Sequence, residues 1–361
     1  MRQVPEWGTI PRMLRDQAAC RTSTIVVADG HARLRLRQLQ RQAAEGARAL
    51  IAMGVQPRDR VAIVAPNGLR WVISAFAIWD TGAAVIPLSS GVNGTLARQL
   101  LQQAQVSVLL ACDDTLLSAL AETCGEPAAG RPYAGLPDLR TVVMLDEPPT
   151  AGGTRETRRP GVLRLRNFLA RGASVAPRVA EQRALAVLPT DKGEFLAPPG
   201  ASGMAELTHA QLLRVYSNWS ETVTLREGDR YLVITPFSHG FGLNAGLLAC
   251  VLRGATILAA PRFAPVAVAD LVEGLQANVL AGPPTLFNRL LDSLRGRPRK
   301  ALPLRVAICE NAAAPAELIR RLLAETAVQR VINAYGLGEA TVAYPGRLPA
   351  RGPDASAEPS A

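Results

Sequence analysis

The stretch from Asp229 to Phe287 alternates two hydrophobic periods, and this alternation constrains the fold more than any other feature of the chain. Tyr231–Thr235, Ala255–Ala260 and Asn278–Ala281 are apolar runs of strand length. Between them, the apolar residues of Gly240–Leu252 and Val266–Leu275 recur at helical spacing. Strand, helix, strand, helix, strand predicts a right-handed parallel sheet with helices on its faces. The run Pro236-Phe-Ser-His-Gly-Phe-Gly242 stands at the C-terminal end of the first strand, and Gly282-Pro283-Pro284 stands at the end of the third. Open parallel sheets bind ligands at that rim, so the two loops together mark a pocket.

The same alternation occurs earlier. Val61–Pro66, Ala84–Leu88 and Val106–Ala111 predict strands joined by helices over Asn67–Thr81 and Thr95–Gln105, a complete βαβαβ unit, and Thr141–Leu145 adds a further strand. Upstream, helices are expected over Ile10–Ala19 and Leu36–Met53, with a hairpin around Asp29-Gly30 between them and Gly54 as a C-cap. Further on, strands are expected at Ala184–Pro189 and 304–309 and a helix at Pro315–Ala324. The run from Glu147 to Pro160 is polar and rich in Pro, Gly and Arg, which suits a surface excursion. The expected organisation is a first α/β half at 1–146, a linker and surface excursion at 147–183, a second α/β half at 184–345 and a disordered tail at 346–361. The fold class is therefore α/β, two βα-layered halves with parallel sheets and flanking helices.

Composition removes several function classes. Formal charge is +10, yet the basic residues are almost all arginine, with Lys192 and Lys300 the only lysines. The densest basic patch, Arg295 to Lys300, has no interleaved aromatics, so nucleic acid is not an expected partner. No apolar run is long enough to span a bilayer. The first twenty residues lack the apolar core of an export signal, which points to a cytoplasmic location. The cysteines show no CxxC pairing; Cys250 and Cys309 lie in apolar runs and read as core thiols.

Four segments, PFSHGFG at Pro236–Gly242, LRGATI at Leu252–Ile257, AGPPTLFNRLL at Ala281–Leu291 and YGLGEAT at Tyr335–Thr341, follow one another in the order and spacing found in adenylate-forming acyl-CoA synthetases. The chain resembles that family over nearly all of 1–345, with its nearest likeness to actinobacterial ligases of steroid-ring-derived propanoates. The resemblance implies the N-terminal domain of the adenylate-forming ligase fold. It also implies a chemistry in which a carboxylic acid and ATP give an acyl-AMP, whose acyl group passes to coenzyme A. By the same resemblance Tyr335 would stack near adenine, Gly336 and Gly338 would form the turn beside it, and Glu339 would act as a catalytic residue by holding Mg2+. His239 would be the other catalytic-site residue, at the carboxylate end of an acyl pocket lined also by Asn244, Gly246, Gly282 and Pro283. The alternative for His239 is a satisfied histidine at a helix start, and for Tyr335 an aromatic packed at a strand end.

The nucleotide motifs depart from the family pattern. Between the expected strand Ala184–Pro189 and the helix from Leu207, the family has a hydroxyl-rich loop ending in lysine, whose amides and hydroxyls cradle phosphates. Here the hydroxyl cluster is gone, Pro198 and Pro199 carry no amide donor, and Gly203 stands in the lysine's place. Gly200, Ser202 and Gly203 form either a partial anion nest or a bent loop without a phosphate role. The small turn that lies flat on adenine is replaced by Cys309-Glu310-Asn311-Ala312. Glu310 adds bulk and negative charge there and should weaken ATP binding unless it swings out to solvent. Gly338 replaces a threonine that would touch the α-phosphate. His209 reads as a helix-start residue with Thr208 as the cap, and His31 lies in a turn. The family's smaller C-terminal domain, which carries a lysine at the reacting centre, is expected to be absent. A truncated acyl-CoA synthetase homologue of weak or no adenylation activity is thus expected, with a hydrophobic carboxylic acid as ligand and a homodimer or a related ligase subunit as partner. The alternative is a non-catalytic acyl-binding or partner-binding paralogue.

Overall fold

The computed structural model describes residues 7–30, 32–125, 132–145, 161–197, 203–259, 268–294, 302–310, 314–335 and 342–345. Helix α1 (Ile10–Cys20) leads into a hairpin of β1 (Ile25–Asp29) and β2 (Ala32–Arg35), then α2 (Leu36–Ala52). A parallel unit follows: β3 (Arg60–Val64), α3 (Leu69–Asp80), β4 (Ala84–Leu88), α4 (Gly94–Gln103), β5 (Val108–Ala111), α5 (Asp114–Cys124), β6 (Thr141–Met144) and β7 (Val162–Arg164). Helices α6 (Leu165–Arg171) and α7 (Pro177–Leu185) precede an antiparallel pair, β8 (Lys192–Leu196) and β9 (Ala205–Thr208), and then α8 (His209–Thr222). The second parallel unit opens with β10 (Arg230–Val233) and a π-helix (Phe241–Leu248) that continues as α9 (Ala249–Arg253). It goes on through β11 (Thr256–Ala259), α10 (Val268–Gly274), β12 (Val279–Gly282), α11 (Pro284–Ser293), β13 (Val306–Glu310), α12 (Ala316–Glu325), β14 (Arg330–Tyr335) and β15 (Val342–Pro345).

These strands form two sheets, β7-β6-β5-β3-β4-β8-β9 and β15-β14-β13-β12-β10-β11-β1-β2. Pairing is parallel except at the edge pairs β1–β2, β8–β9 and β14–β15. The hairpin at 25–35 thus belongs to the sheet built mostly from 230–345, and the one at 192–208 to the sheet built from 60–164. Side chains alternate between two cores along the central strands. In β3, Ala62 and Val64 face α4 and α5, while Val61 and Ile63 face the helices between the sheets. In β10, Leu232 faces α10 to α12, while Tyr231 and Val233 face the same middle helices. Five layers result, helix–sheet–helix–sheet–helix, with α1, α2, α3, α8 and α9 in the shared middle layer.

Local chemistry explains the elements. Asn93 caps α4 by accepting from the Leu96 N–H, and Thr208 with Gln211 forms a capping box on α8, as its sequence suggests. Helices α2 and α3 approach closely because Gly46 lacks a side chain: a Cβ there would lie 2.8 Å from the Cβ of Ala77. Trp79 donates from Nε1 to the Gly193 carbonyl at 2.7 Å, and Trp219 does the same to Ala245 at 3.2 Å, so two large buried rings also tie strand and helices together. No helix among the described residues is long and apolar enough to cross a membrane.

Two expectations are corrected. Ala184–Pro189 is not a strand: Ala180 and Ala184 form the buried stripe of α7, whereas Leu185 and Leu188 are exposed. The strand lies at β8, where an acidic residue in its centre, Glu194, hides it from a search for apolar runs. Gly240–Leu252 begins as a π-helix rather than an α-helix. Helix α5, with Leu116, Leu117 and Leu120 buried, was not anticipated at all.

Candidate functional site

Strand β10 lies between β11 and β12, so the chain moves to one side of β10 and then crosses to the other. Such a switch point opens a crevice at the C-terminal ends of the strands. The loop 234–240 after β10, Gly282 and Pro283 after β12, Glu310 at the end of β13 and the backbone of Tyr335 at the end of β14 all reach this rim.

The 234–240 loop is held from the opposite sheet. Asn67, just past β3, accepts from the Phe237 N–H through Oδ1 at 2.7 Å. Its Nδ2 donates to the carbonyls of Val233 at 3.3 Å and Thr235 at 3.0 Å. One buried amide therefore satisfies three backbone groups and locks the two sheets at the crevice. Gly242 is required by the same turn: a Cβ there would sit 2.2 Å from the Pro236 carbonyl oxygen and 2.5 Å from that of Thr235. Gly246 likewise clears the side chain of Val233, which a Cβ would approach to 2.8 Å.

His239 is half-buried in this loop. Its Nδ1 accepts from the Phe241 N–H at 3.2 Å, which assigns the ring proton of the neutral form to Nε2. Burial lowers its pKa and favours that neutral form. The Nε2–H, which makes no hydrogen bond among the described residues, is the donor this loop can offer. Phe241 packs edge-on against Trp219, with ring centroids 5.5 Å apart.

Asn244 lies deeper. Its Nδ2 donates to Oε2 of Glu194 at 2.7 Å, and both side chains are wholly buried. Among the described residues, Glu194 Oε1 and Asn244 Oδ1 have no partner. Burial pushes the Glu194 pKa up to about 8 against the opposing hydrogen bond from Asn244.

Glu310 does not swing out to solvent; it is 4 % exposed. Thr235 donates from Oγ1 to Glu310 Oε1 at 2.6 Å. Because β12 lies between β10 and β13, the side chain must pass over the end of β12 to make this bond. Among the described residues its Oε2 is buried without a partner, as is the nearby Tyr231 hydroxyl. Burial raises the pKa of Glu310, and the Thr235 hydrogen bond lowers it in part. Cys309 behind it is an inert core thiol, pushed up to about 12 by burial and by Glu310.

Gly203 stands in open space. Gly200, Ser202, Asn311, Ala312, Gly336, Gly338 and Glu339 lie outside the described residues. Lys192 forms a surface ion pair with Glu206 at 3.2 Å. Among the described residues, no group of three or more His, Cys, Asp and Glu is placed to hold a metal ion. His209 is buried, accepting from the Ile10 N–H at 3.4 Å through Nδ1, and serves packing. Asn67 and Glu194 were not singled out from the sequence. A polar residue closing an apolar strand is the signal for Asn67; an acid inside the middle of a strand gives none until the strand is placed.

Two layered α/β units with a crevice at a switch point define a ligand-binding α/β fold, and comparison with known proteins gives its family. The family model described as AMP-binding enzyme matches residues 14–179 and 204–360, and the chain belongs to that family. It is 37% identical over 297 residues to the methyl-dioxo-octahydroindenyl-propanoyl:CoA ligase of Mycobacterium tuberculosis, covering 81% of this chain and 55% of that one. It is 34% identical over 338 residues to the ligase of the same name from Rhodococcus jostii, covering 92% and 63%. The chain thus spans 55% and 63% of the length of these two relatives. Among solved structures, the anthranilate CoA ligase AuaEII in complex with anthranoyl-AMP superposes with a TM-score of 0.75 at 19% identity, covering 91% of this chain and 60% of that one. That likeness concerns the fold.

Proposed function

We propose that this chain is an acyl-CoA ligase homologue that binds a bulky alicyclic carboxylic acid at the β10 rim but grips ATP weakly, so that its acid:CoA ligase activity is low. The acid class is supported by the names of the two ligases at 37% and 34% identity, which act on an indane-type propanoate. His239 would donate from Nε2 to the acid's carboxylate, with Pro283 across the rim and Gly242, Gly246 and Gly282 letting the protein's own loop, π-helix and α11 pack closely behind it. Asn244 would act from behind this wall, holding the π-helix to β8 through Glu194.

The observation that carries the weak grip is Glu310. Its carboxyl lies over the end of β12, tied to Thr235, in the slot where a nucleotide would approach the strand ends. A buried acid with a free oxygen does not fit a polyanionic nucleotide laid against β13. Burial pushes the acid toward its neutral form, which removes charge but not bulk. The loss of the threonine at Gly338 removes one more charge-assisted hydrogen bond, worth about 1.5–3 kcal/mol. Mg2+ would depend on Glu339, and coenzyme A enters only through what the relatives do. The same observation favours a second reading, an acid-binding or partner-binding paralogue with no ligase turnover.

Pyrophosphate release with a 3-alicyclic propanoate tests the proposal. Slow, acid-dependent release that is lost in Glu339→Gln supports a weak ligase. No release, with saturable acid binding by calorimetry, supports the binding protein. Release at the rate of a full-length ligase, or no acid binding, overturns the proposal.

A further inference from the structure

Two cavities lie along α2. One, of about 530 Å³, is open and basic, lined by Thr22, Arg35, Arg37, Gln38, Gln40 and Arg41. The other, of about 250 Å³, runs between α2, α3 and α6 over an apolar floor that includes Leu50, Ile73, Leu110, Leu145, Leu165 and Phe168. Arg41 lines both, and Arg70 stands at the rim of the second. Gln38, Arg41, Gln42, Glu45 and Gly46 follow the i, i+3, i+4 stripe of one helix face, so the two cavities are stretches of one groove. From Arg37 to Leu50 the groove extends about 20 Å at the rise of an α-helix.

We propose that this groove is a binding site for a free medium-chain aliphatic carboxylate, its head at Arg37 and Arg41 and its chain between α2, α3 and α6. Four guanidiniums line it, those of Arg35, Arg37, Arg41 and Arg70, against one carboxylate, Glu45, which holds Arg41 only at 3.9 Å. Neither Arg37 nor Arg70 has an ion-pair partner among the described residues. A ligand carboxylate would therefore meet excess positive charge at one end and an apolar trough at the other. The trough is smaller than the roughly 300 Å³ at which pockets for drug-sized ring systems begin, which selects a single chain. The groove shares no lining residue with the 234–240 loop, and the proposal does not depend on the function proposed above.

Photolabelling with a diazirine analogue of dodecanoate, mapped by mass spectrometry on the full chain, tests this directly. The label should fall in peptides 36–52 and 165–171 and be displaced by dodecanoate but not by dodecanol. Arg41→Ala should weaken labelling there about tenfold or more, the value of one charge-assisted hydrogen bond. Leu169→Asp, at a position 38% exposed, should do the same by placing a charge at the mouth of the trough. Should that variant misfold, Arg41→Ala decides alone, since its side chain is 68% exposed. Label confined to 236–248, equal displacement by dodecanol, or labelling unchanged in Arg41→Ala overturns the proposal.

Discussion

Glu194→Gln should remove most of a loss of stability that the natural chain suffers as pH rises. Glu194 is wholly buried on β8, and burial raises its pKa from 4.5 to about 8. The folded state therefore holds a proton that the unfolded chain releases near pH 4.5. Its contribution is complete below pH 4.5, declines as pH rises, and is gone above about pH 8. The gap of 8 − 4.5, at about 1.4 kcal/mol per pH unit, sets an upper value of about 5 kcal/mol for that loss. This is a large share of the ~5–15 kcal/mol that holds a domain together. Glutamine is neutral at every pH and accepts from Asn244 as the acid does. Urea unfolding followed by tryptophan fluorescence, for both proteins from pH 5 to 9, reads the effect. At pH 5 the two should agree within about 1 kcal/mol, the scale of one hydrogen bond. At pH 9 the variant should be the more stable by several kcal/mol. Asp80, raised to about 7 by burial against Arg15, adds a slope of the same sign to both proteins, so only their difference reports Glu194. Parallel curves, or a variant less stable at pH 9, would refute the reasoning.

Asn67→Ala should cost about 2–4 kcal/mol, because it strips partners from three backbone groups at the crevice, and should weaken acid binding by calorimetry. Gly242→Ala should lower stability by at least ~1–3 kcal/mol and abolish acid binding, since the new Cβ meets two backbone oxygens that cannot move aside; thermal melts and the same titration check it. His209, held at a pKa of about 4 by burial against 6.5 in the unfolded chain, contributes stability that is present above pH 6.5 and lost as pH falls toward 4. His209→Gln should therefore flatten the acid limb of the stability curve between those values, measured by unfolding at pH 4 to 6.5.

What the sequence revealed and what it hid follow from periodicity. The runs at Ala84–Leu88 and 279–282 are apolar on both faces, so strand, rim loop and switch point could be placed from them. Thr208 announced the start of α8 by capping chemistry alone. β8 stayed hidden because its centre is Glu194, whose neighbours in space, Asn244 and Val85, lie far off in sequence. The π-helix has the same apolar content as an α-helix, and no periodicity records its widened turn. The two hairpins that join the opposite sheets could not be assigned, because an edge strand carries no mark of which sheet it will extend. Glu310 was legible as an anomaly, but its direction was not: only the position of Thr235 across β12 turns it inward.

Titration of the natural chain and of Glu310→Gly with Mg–ATP tests the central claim most directly. If the carboxyl tied to Thr235 blocks the nucleotide slot, the natural chain binds ATP weakly or not at all, and the glycine variant, freed of that bulk and its orphaned oxygen, gains about tenfold or more in affinity. Tight binding by the natural chain, or no gain in the variant, would contradict it.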